Sequence, residues 1–477
     1  MEVSKEMEEW LGETFGKEYA QTLLIRSTLP PSQTTLRVNT HAVPMEDACL
    51  LLQAVLNTPD PQVVAVEEAS GASLSRSSLK WEVGPHRWIP DMVSVTRGGG
   101  GSGSEYGGEP EGLAGVLLGA GCATLLRGGH VYVPGVMVVP AWKGVGDRVD
   151  VYLDHGTKSG PIGTDNDGSI LHAPDKIYLG VGRMALSGSE IVTRKMAKEG
   201  GVAIVMEHAF GPVLSGVFSS FLYPMNASSA SVAHLALAGL EGIESQGDPL
   251  RVLDMCAAPG GKTCHLGSML ARHPRGGHVW ACERSANRAA KLEGVVERMM
   301  LREWVTPIKV DSTKLNKPKG KTAKMLPIGS FDVVVLDPLC SGIGLRPQFT
   351  DINQTPESLH QMAGYQTKLG RVAVDMLKPG GILTYSTCTV DPLECEGVVA
   401  ALVSECGLEV LNARVWGEGV GGGGMEGYGL GREGCGKVCR FDPCGDGVDT
   451  PAFFVARLRK PMSSSTSEAS AGASAKC

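Results

Sequence analysis

A chain of 477 residues, 42% hydrophobic and 20% charged, has the apolar material for sizeable cores and room for about three domains. Its thirteen cysteines are an odd, irregularly spaced set, which argues against a disulfide scaffold and fits free thiols in a reducing, cytoplasmic or nuclear compartment. The net charge of −7 weighs only weakly against a nucleic-acid partner, because local charge matters more than the total.

Met1-Glu-Val-Ser-Lys-Glu opens acidic with no apolar run, unlike a secretory signal. A helical pattern covers residues 7–24, and Thr35-Leu-Arg-Val-Asn-Thr40 is extended. A glycine-rich flexible insertion follows at 97–112, so residues 1–121 read as an N-terminal α+β region. Residues 122–200 carry short apolar runs with turn signals, His130-Val-Tyr-Val-Pro134, Asp150-Val-Tyr-Leu153 and Lys176-Ile-Tyr-Leu-Gly180, the pattern of a small β-barrel. Residues 209–240 lack Lys, Arg, Asp and Glu, but Pro212, Pro224 and Asn226 make a poor membrane helix, so the stretch is read as buried protein. From about residue 249 apolar strands alternate with helical segments, which predicts a doubly wound α/β domain within 201–460. Residues 417–436 read as a second flexible insertion, and the Ser/Ala-rich tail, 461–477, as disordered.

The α/β region begins with the strand Leu250-Arg-Val-Leu-Asp254 and the loop Met255-Cys-Ala-Ala-Pro-Gly-Gly-Lys-Thr263, before a helical run. Small loop residues let a ligand approach the backbone, and a helix N-terminus offers unpaired N–H groups. The next strands end on Glu283, Asp311, Asp337 and Cys388. Ligands of open α/β sheets sit beyond the carboxyl ends of the strands, so this series of polar ends describes one site. A nucleoside-triphosphatase is one reading, since Gly261-Lys262-Thr263 ends a near P-loop and Asp337 follows an apolar strand. Cys256 stands where that loop needs glycine, however, and Pro259 lacks an N–H for phosphate. Glu283, about twenty residues beyond the glycines, fits a ribose-binding acid.

The segments Asp254 to Thr263, Asp337-x-x-Cys340-Ser-Gly-x-Gly344 and Ser386-Thr-Cys388-Thr resemble the Nop/Sun family of RNA (cytosine-5) methyltransferases over about residues 205–458, more weakly at Leu36-Arg-Val-Asn-Thr40. The resemblance implies a class I, Rossmann-like domain binding S-adenosylmethionine on Cys256, Ala257, Ala258, Pro259, Gly260, Gly261 and Lys262. It also implies Glu283 on the ribose hydroxyls, Asp311 by the adenine, and Asp337 between cofactor and target base. Residues 125–191 resemble a PUA domain, a small RNA-binding β-barrel, through Leu126-Arg-Gly-Gly-His-Val-Tyr-Val-Pro-Gly135, Gly146-Asp-Arg-Val149 and Tyr178-Leu-Gly-Val-Gly182. That barrel ahead of the catalytic domain is similar to the Sun-domain branch that acts on transfer RNA near the acceptor end. No membrane and no obligate protein partner is implied. Two departures stand out: Pro338-Leu339 where the family has Ala-Pro, and Met225-Asn226 where it commonly has Gln-Asn.

Within the resemblance, Cys388 fits the nucleophile that adds to carbon 6 of cytosine and turns carbon 5 into an enamine-like attacker. Asp337 would hydrogen-bond the amino group and ring nitrogen 3, Lys262 would orient that acid and the base, and Cys340 would promote release. Cys435, Cys439 and Cys444 have no Cys-x-x-Cys pair or histidine partner, so no metal is expected. The target base must be flipped or unstacked. Between Arg288 and Lys324, ten Lys or Arg against four acids read as a phosphate-contacting strip or a solvated loop. The non-enzymatic alternative is an RNA-binding protein on a methyltransferase fold, against which Cys388, Cys340, Asp337 and Lys262 speak.

Overall fold

The computed structural model describes residues 3–71, 73–74, 80–98, 110–119, 125, 128–154, 162–164, 176–207, 211–214, 217–240, 248–317, 319–348, 352–417, 419–445 and 447–462. Most of the expected insertion 97–112 and nearly all of the tail 461–477 lie outside the described residues. No helix among them is long and apolar enough to cross a membrane.

The helical opening is two helices, Lys5–Phe15 and Lys17–Thr28. Ser4 caps the first by accepting the Met7 N–H, and Gly16 between them takes φ +88, a conformation that interrupts a continuous helix and favours glycine. β1 (Thr34–Val38), β2 (Trp81–Pro85) and β3 (Met92–Arg97) follow. Next come β4 (Gly115–Gly119), β5 (Val131–Tyr132), β6 (Val136–Val139), β7 (Arg148–Asp154), β8 (Gly163–Thr164), β9 (Lys176–Met184) and β10 (Val202–Met206). β11 (Leu222–Pro224) returns to the first group, giving an antiparallel sheet of order β11-β1-β3-β2 with Leu36 opposite Pro224.

Strands β4 to β10 form a seven-stranded sheet, order β5-β10-β9-β7-β4-β6-β8, over a core of Val116, Leu118, Val149, Val151, Leu153 and Ile204. The expected seams at 121/122 and 200/201 both move, because β4 lies between β7 and β6 while β10 pairs with β9. Backbone pairing sets membership here, and it makes this sheet an excursion entered after β3 and left before β11.

The third sheet is the α/β domain. β12 (Leu250–Asp254), β13 (Gly277–Glu283), β14 (Val305–Lys309), β15 (Phe331–Leu336) and β16 (Leu377–Thr387) run parallel in the order β14-β13-β12-β15-β16. β17 (Glu409–Leu411) and β18 (Cys439–Phe441) pair with β19 (Phe453–Arg459), which joins β16 antiparallel. Covered on both faces, the inner strands are continuous apolar runs, such as buried Val333 to Leu336. The chain steps outward from β12 to β14, then restarts at β15 on the other side of β12. That reversal opens a crevice at the carboxyl ends of β12 and β15, the Rossmann-like arrangement expected.

The stretch read as buried protein contains the helix Ala227–Leu237, whose Val232, Ala233, Leu235 and Ala236 sit in the main core. The tract 417–436, expected to be flexible, is instead pinned. It runs into the helix Gly431–Lys437, Gly424 N–H donates to Cys435 O at 2.7 Å, and Met425 N–H donates to Glu396 Oε1 at 2.9 Å. A Cβ on Gly424 would lie 2.7 Å from Val438 Cγ2, so glycine makes room for packing there rather than slack.

Candidate active site

Asp254 ends β12 and is buried. Thr263 Oγ1 donates to its Oδ2 at 2.7 Å and Cys256 N–H to its Oδ1 at 3.2 Å, folding the loop back onto the strand end. Burial pushes the Asp254 carboxyl up to about 6, against those hydrogen bonds. Gly260 takes φ +116, and a Cβ on Gly261 would meet Tyr223 Cε1 at 2.9 Å. The small loop residues therefore serve both backbone conformation and the close approach of β11.

A cavity of about 210 Å³ opens beside the loop, lined by Tyr223, Asn226, Asp254, Cys256, Ala257, Ala258, Pro259, Gly261, Lys262 and Asp337 among others. Glu283 and Asp311 lie outside that lining. Glu283 is buried at the end of β13, with Oε1 accepting Ser285 N–H at 2.8 Å and Oε2 3.4 Å from Arg288 Nε. Asp311 stands just past β14, where Thr313 Oγ1 donates to its Oδ1 at 2.7 Å and Lys314 Nζ is 3.2 Å from Oδ2. The Thr313 hydrogen bond, with help from Lys314, holds the Asp311 carboxyl below its usual range. Together the groups suit an adenosyl amino acid. The N–H groups opening the helix Gly261–Leu270 would hold its carboxylate, Glu283 its hydroxyls, and Asp311 would lie by its adenine.

Across the crevice Asp337 follows β15. Lys262 Nζ donates to its Oδ2 at 2.9 Å and Ser386 Oγ to its Oδ1 at 2.7 Å. Burial alone would depress the Lys262 ammonium, but the Asp337 carboxylate outweighs that and raises it, so the cation persists. Cys388, the residue after β16, has its sulfur 3.2 Å from that of Cys340. The two thiols diverge. The hydrogen bond from Cys340 lowers Cys388 below the ordinary thiol value, aided by Lys262 and opposed by burial. The same hydrogen bond, with burial, raises Cys340 well above it. Of the two thiols, Cys388 is therefore the easier to deprotonate and Cys340 the harder.

The structure brings Lys262, Asp337, Cys340 and Cys388 into one cluster. Sequence reasoning gave no task to Ser386, although it stands two residues before Cys388. The Pro338-Leu339 departure leaves Leu339 71% exposed, with its carbonyl accepting Gln366 Nε2 at 2.9 Å, while Asp337 and Cys340 keep their partners. Met225 is buried, and its carbonyl accepts Thr35 Oγ1 at 2.6 Å.

A second polar cluster left no signal in the sequence. Asp91 accepts from His234 Nε2 at 2.8 Å and His265 Nε2 at 2.5 Å, tying the N-terminal sheet to two helices of the α/β domain. Burial lowers His265 to about 4, so it stays neutral. Among the described residues these three are the one group close enough to share a metal ion. The fully buried guanidinium of Arg37 within electrostatic reach of Asp91 already supplies positive charge there. Every described cysteine is free.

A family model described as 16S rRNA methyltransferase RsmB/F matches residues 244–459. The chain is 31% identical over 462 residues to the tRNA (cytosine(72)-C(5))-methyltransferase NSUN6 of Mus musculus, covering 92% of this chain and 87% of that one. The Homo sapiens protein of the same name is 30% identical over 452 residues, covering 92% and 86%. The crystal structure of NSun6 from Pyrococcus horikoshii with SFG matches with a TM-score of 0.71 at 23% identity, covering 96% of this chain and 98% of that one.

Proposed function

The chain belongs to the Nop/Sun family of RNA (cytosine-5) methyltransferases, and we propose that Lys262, Asp337, Cys340 and Cys388 perform its reaction on transfer RNA near the acceptor end. It is an S-adenosylmethionine-dependent tRNA (cytosine-5) methyltransferase. S-adenosylmethionine, held by the 256–262 loop with Glu283 and Asp311, supplies an electrophilic methyl group. The single observation that carries the site assignment is the thiol pair, Cys340 and Cys388, with their sulfurs 3.2 Å apart.

The Cys388 thiolate adds to carbon 6 of the flipped cytosine, and ring nitrogen 3 takes a proton from water as electron density moves onto the ring. Asp337, aimed by Lys262 and Ser386, accepts hydrogen bonds from the amino group and the protonated nitrogen. Carbon 5 would then take the methyl group of the bound S-adenosylmethionine, whose sulfur–methyl bond would break to leave S-adenosylhomocysteine. Once Cys388 is bound to the base, the proton on Cys340 leaves to solvent, and Cys340 takes the proton from carbon 5. Those C–H electrons restore the ring double bond as the carbon 6–sulfur bond breaks. Nitrogen 3 loses its proton and Cys388 returns as the thiolate, so one net proton is released.

The seven-stranded sheet is read as the PUA-like unit that grips RNA, supported by the run from Gly128 to Gly135 and by its insertion ahead of the catalytic domain. The triphosphatase reading loses support at Cys256 and Pro259, and the non-catalytic reading at the intact four-residue cluster.

Denaturing gel electrophoresis with labelled transfer RNA separates the cysteine roles. Cys388→Ala should abolish methylation and form no adduct, whereas Cys340→Ala should accumulate a retarded protein–RNA band that depends on Cys388. Normal turnover by Cys340→Ala, or RNA trapped by Cys388→Ala, overturns the assignment.

A further inference from the structure

Behind the cysteine pair lies a buried polar network that no reaction step uses. After β16 the chain passes through Thr389 into the turn Leu393–Gly397, where Glu394 is fully buried. Glu394 accepts the Ser341 N–H, with Oε1 at 3.2 Å and Oε2 at 3.1 Å, and Gln366 Nε2 donates to Oε2 at 2.6 Å. Ser341 follows Cys340, and its hydroxyl is 2.8 Å from that of Thr389, which follows Cys388. The same Gln366 nitrogen donates to the carbonyl of Leu339, the residue before Cys340. Tyr385 completes the set: its single hydroxyl proton faces Glu394 O at 2.6 Å and Gln366 Oε1 at 3.1 Å, the nearer carbonyl being the better acceptor.

A buried carboxylate is costly unless its hydrogen bonds are met. This one is met by the backbone just after Cys340 and by the side chain that also holds the backbone just before it. Asp391 Oδ2 is buried with no donor among the described residues. Burial and the Glu394 charge push its carboxyl up to about 8. Near neutral pH Asp391 therefore keeps a proton and donates toward Glu394 instead of repelling it.

We propose that Glu394 is a positioning residue for product release, clamping the peptide after Cys340 so that its sulfur stays in reach of both Cys388 and carbon 5 of the bound base. This rests on the reading of Cys340 as the release thiol. A loosened Cys340 slows removal of the carbon 5 proton most, because that step needs its sulfur; it also weakens the hydrogen bond that lowers Cys388, so addition slows to a smaller extent while Asp337 stays held by Lys262 and Ser386.

The test is single-turnover methylation of a transfer-RNA transcript by the full chain, with the protein–RNA adduct followed on denaturing gels. Glu394→Ala should slow adduct resolution about 10- to 100-fold, the scale of an ångström-sized misplacement, with first-turnover methyl transfer slowed far less. Glu394→Gln keeps an oxygen for the Ser341 N–H and should restore release. Thr389→Val cuts the second tie at nearly constant shape, should also build up adduct, and carries the test if circular dichroism shows that Glu394→Ala does not fold. Wild-type release from the folded variants, while Cys340→Ala traps RNA, overturns the clamp and leaves the cysteine roles standing. Equal slowing of methyl transfer and release would reduce Glu394 to a structural role and overturn it too. Failure of Cys340→Ala itself to trap RNA would remove the release role first, and the clamp with it.

Discussion

Replacing Ser386 by alanine removes one hydroxyl from a fully buried position and leaves the Lys262–Asp337 ion pair in place. The lost hydrogen bond, 2.7 Å long, is to a carboxylate. Such bonds contribute about 1.5–3 kcal/mol, which corresponds to roughly 10- to 150-fold in rate if the bond matters only in the transition state. Lys262 still anchors the other oxygen, so the lower end, about tenfold, is expected. The loss should fall in kcat with KM for RNA unmoved, because Asp337 must be aimed as nitrogen 3 becomes protonated. Lys262→Met should be more damaging. The two side chains are only 17% and 28% exposed, and breaking a buried pair costs roughly 3–5 kcal/mol. Methyl transfer from radiolabelled S-adenosylmethionine to a transfer-RNA transcript measures both variants. A wild-type kcat for Ser386→Ala, a loss confined to KM, or a milder effect for Lys262→Met would refute the orientation argument.

Asp311→Ala should weaken S-adenosylmethionine binding about tenfold by calorimetry, the worth of a hydrogen bond to a charged group; an unchanged Kd would detach Asp311 from the cofactor. Asp391 titrates at about 8 in the fold against ~3.9 in an unfolded chain, so its protonated form stabilises the protein. That contribution is complete below about pH 4 and lost as pH rises through about 8. Asp391→Asn should accordingly hold its Tm better than the parent between about pH 5 and about pH 9, and parallel Tm–pH curves would contradict the assignment. Deleting the whole second sheet, residues 110–207, should cost transfer-RNA affinity far more than S-adenosylmethionine affinity. Full RNA binding by such a deletion, shown to be folded by circular dichroism, would count against the PUA-like reading.

The α/β domain was legible in the sequence because a parallel sheet covered on both faces writes itself as continuous apolar runs, and its strand ends fall where polar residues break them. Lys262, Asp337 and Cys388 could be picked out because each follows such a run or the glycine loop at a fixed offset. Tertiary structure alone decided the rest. It set the sulfurs of Cys340 and Cys388, 48 residues apart, at 3.2 Å, a contact that lowers the Cys388 thiol and raises that of Cys340. It joined Asp91 to His234 across 143 residues and to His265 across 174. It also moved the seams of the second sheet, since β4 and β10 belong wherever their backbones pair, and it turned a glycine-rich tract into packed structure. Helix and strand periods come from neighbours along the chain and leave a repeat to read. Hydrogen bonds between distant side chains have no period, so they become visible only when the chain has folded.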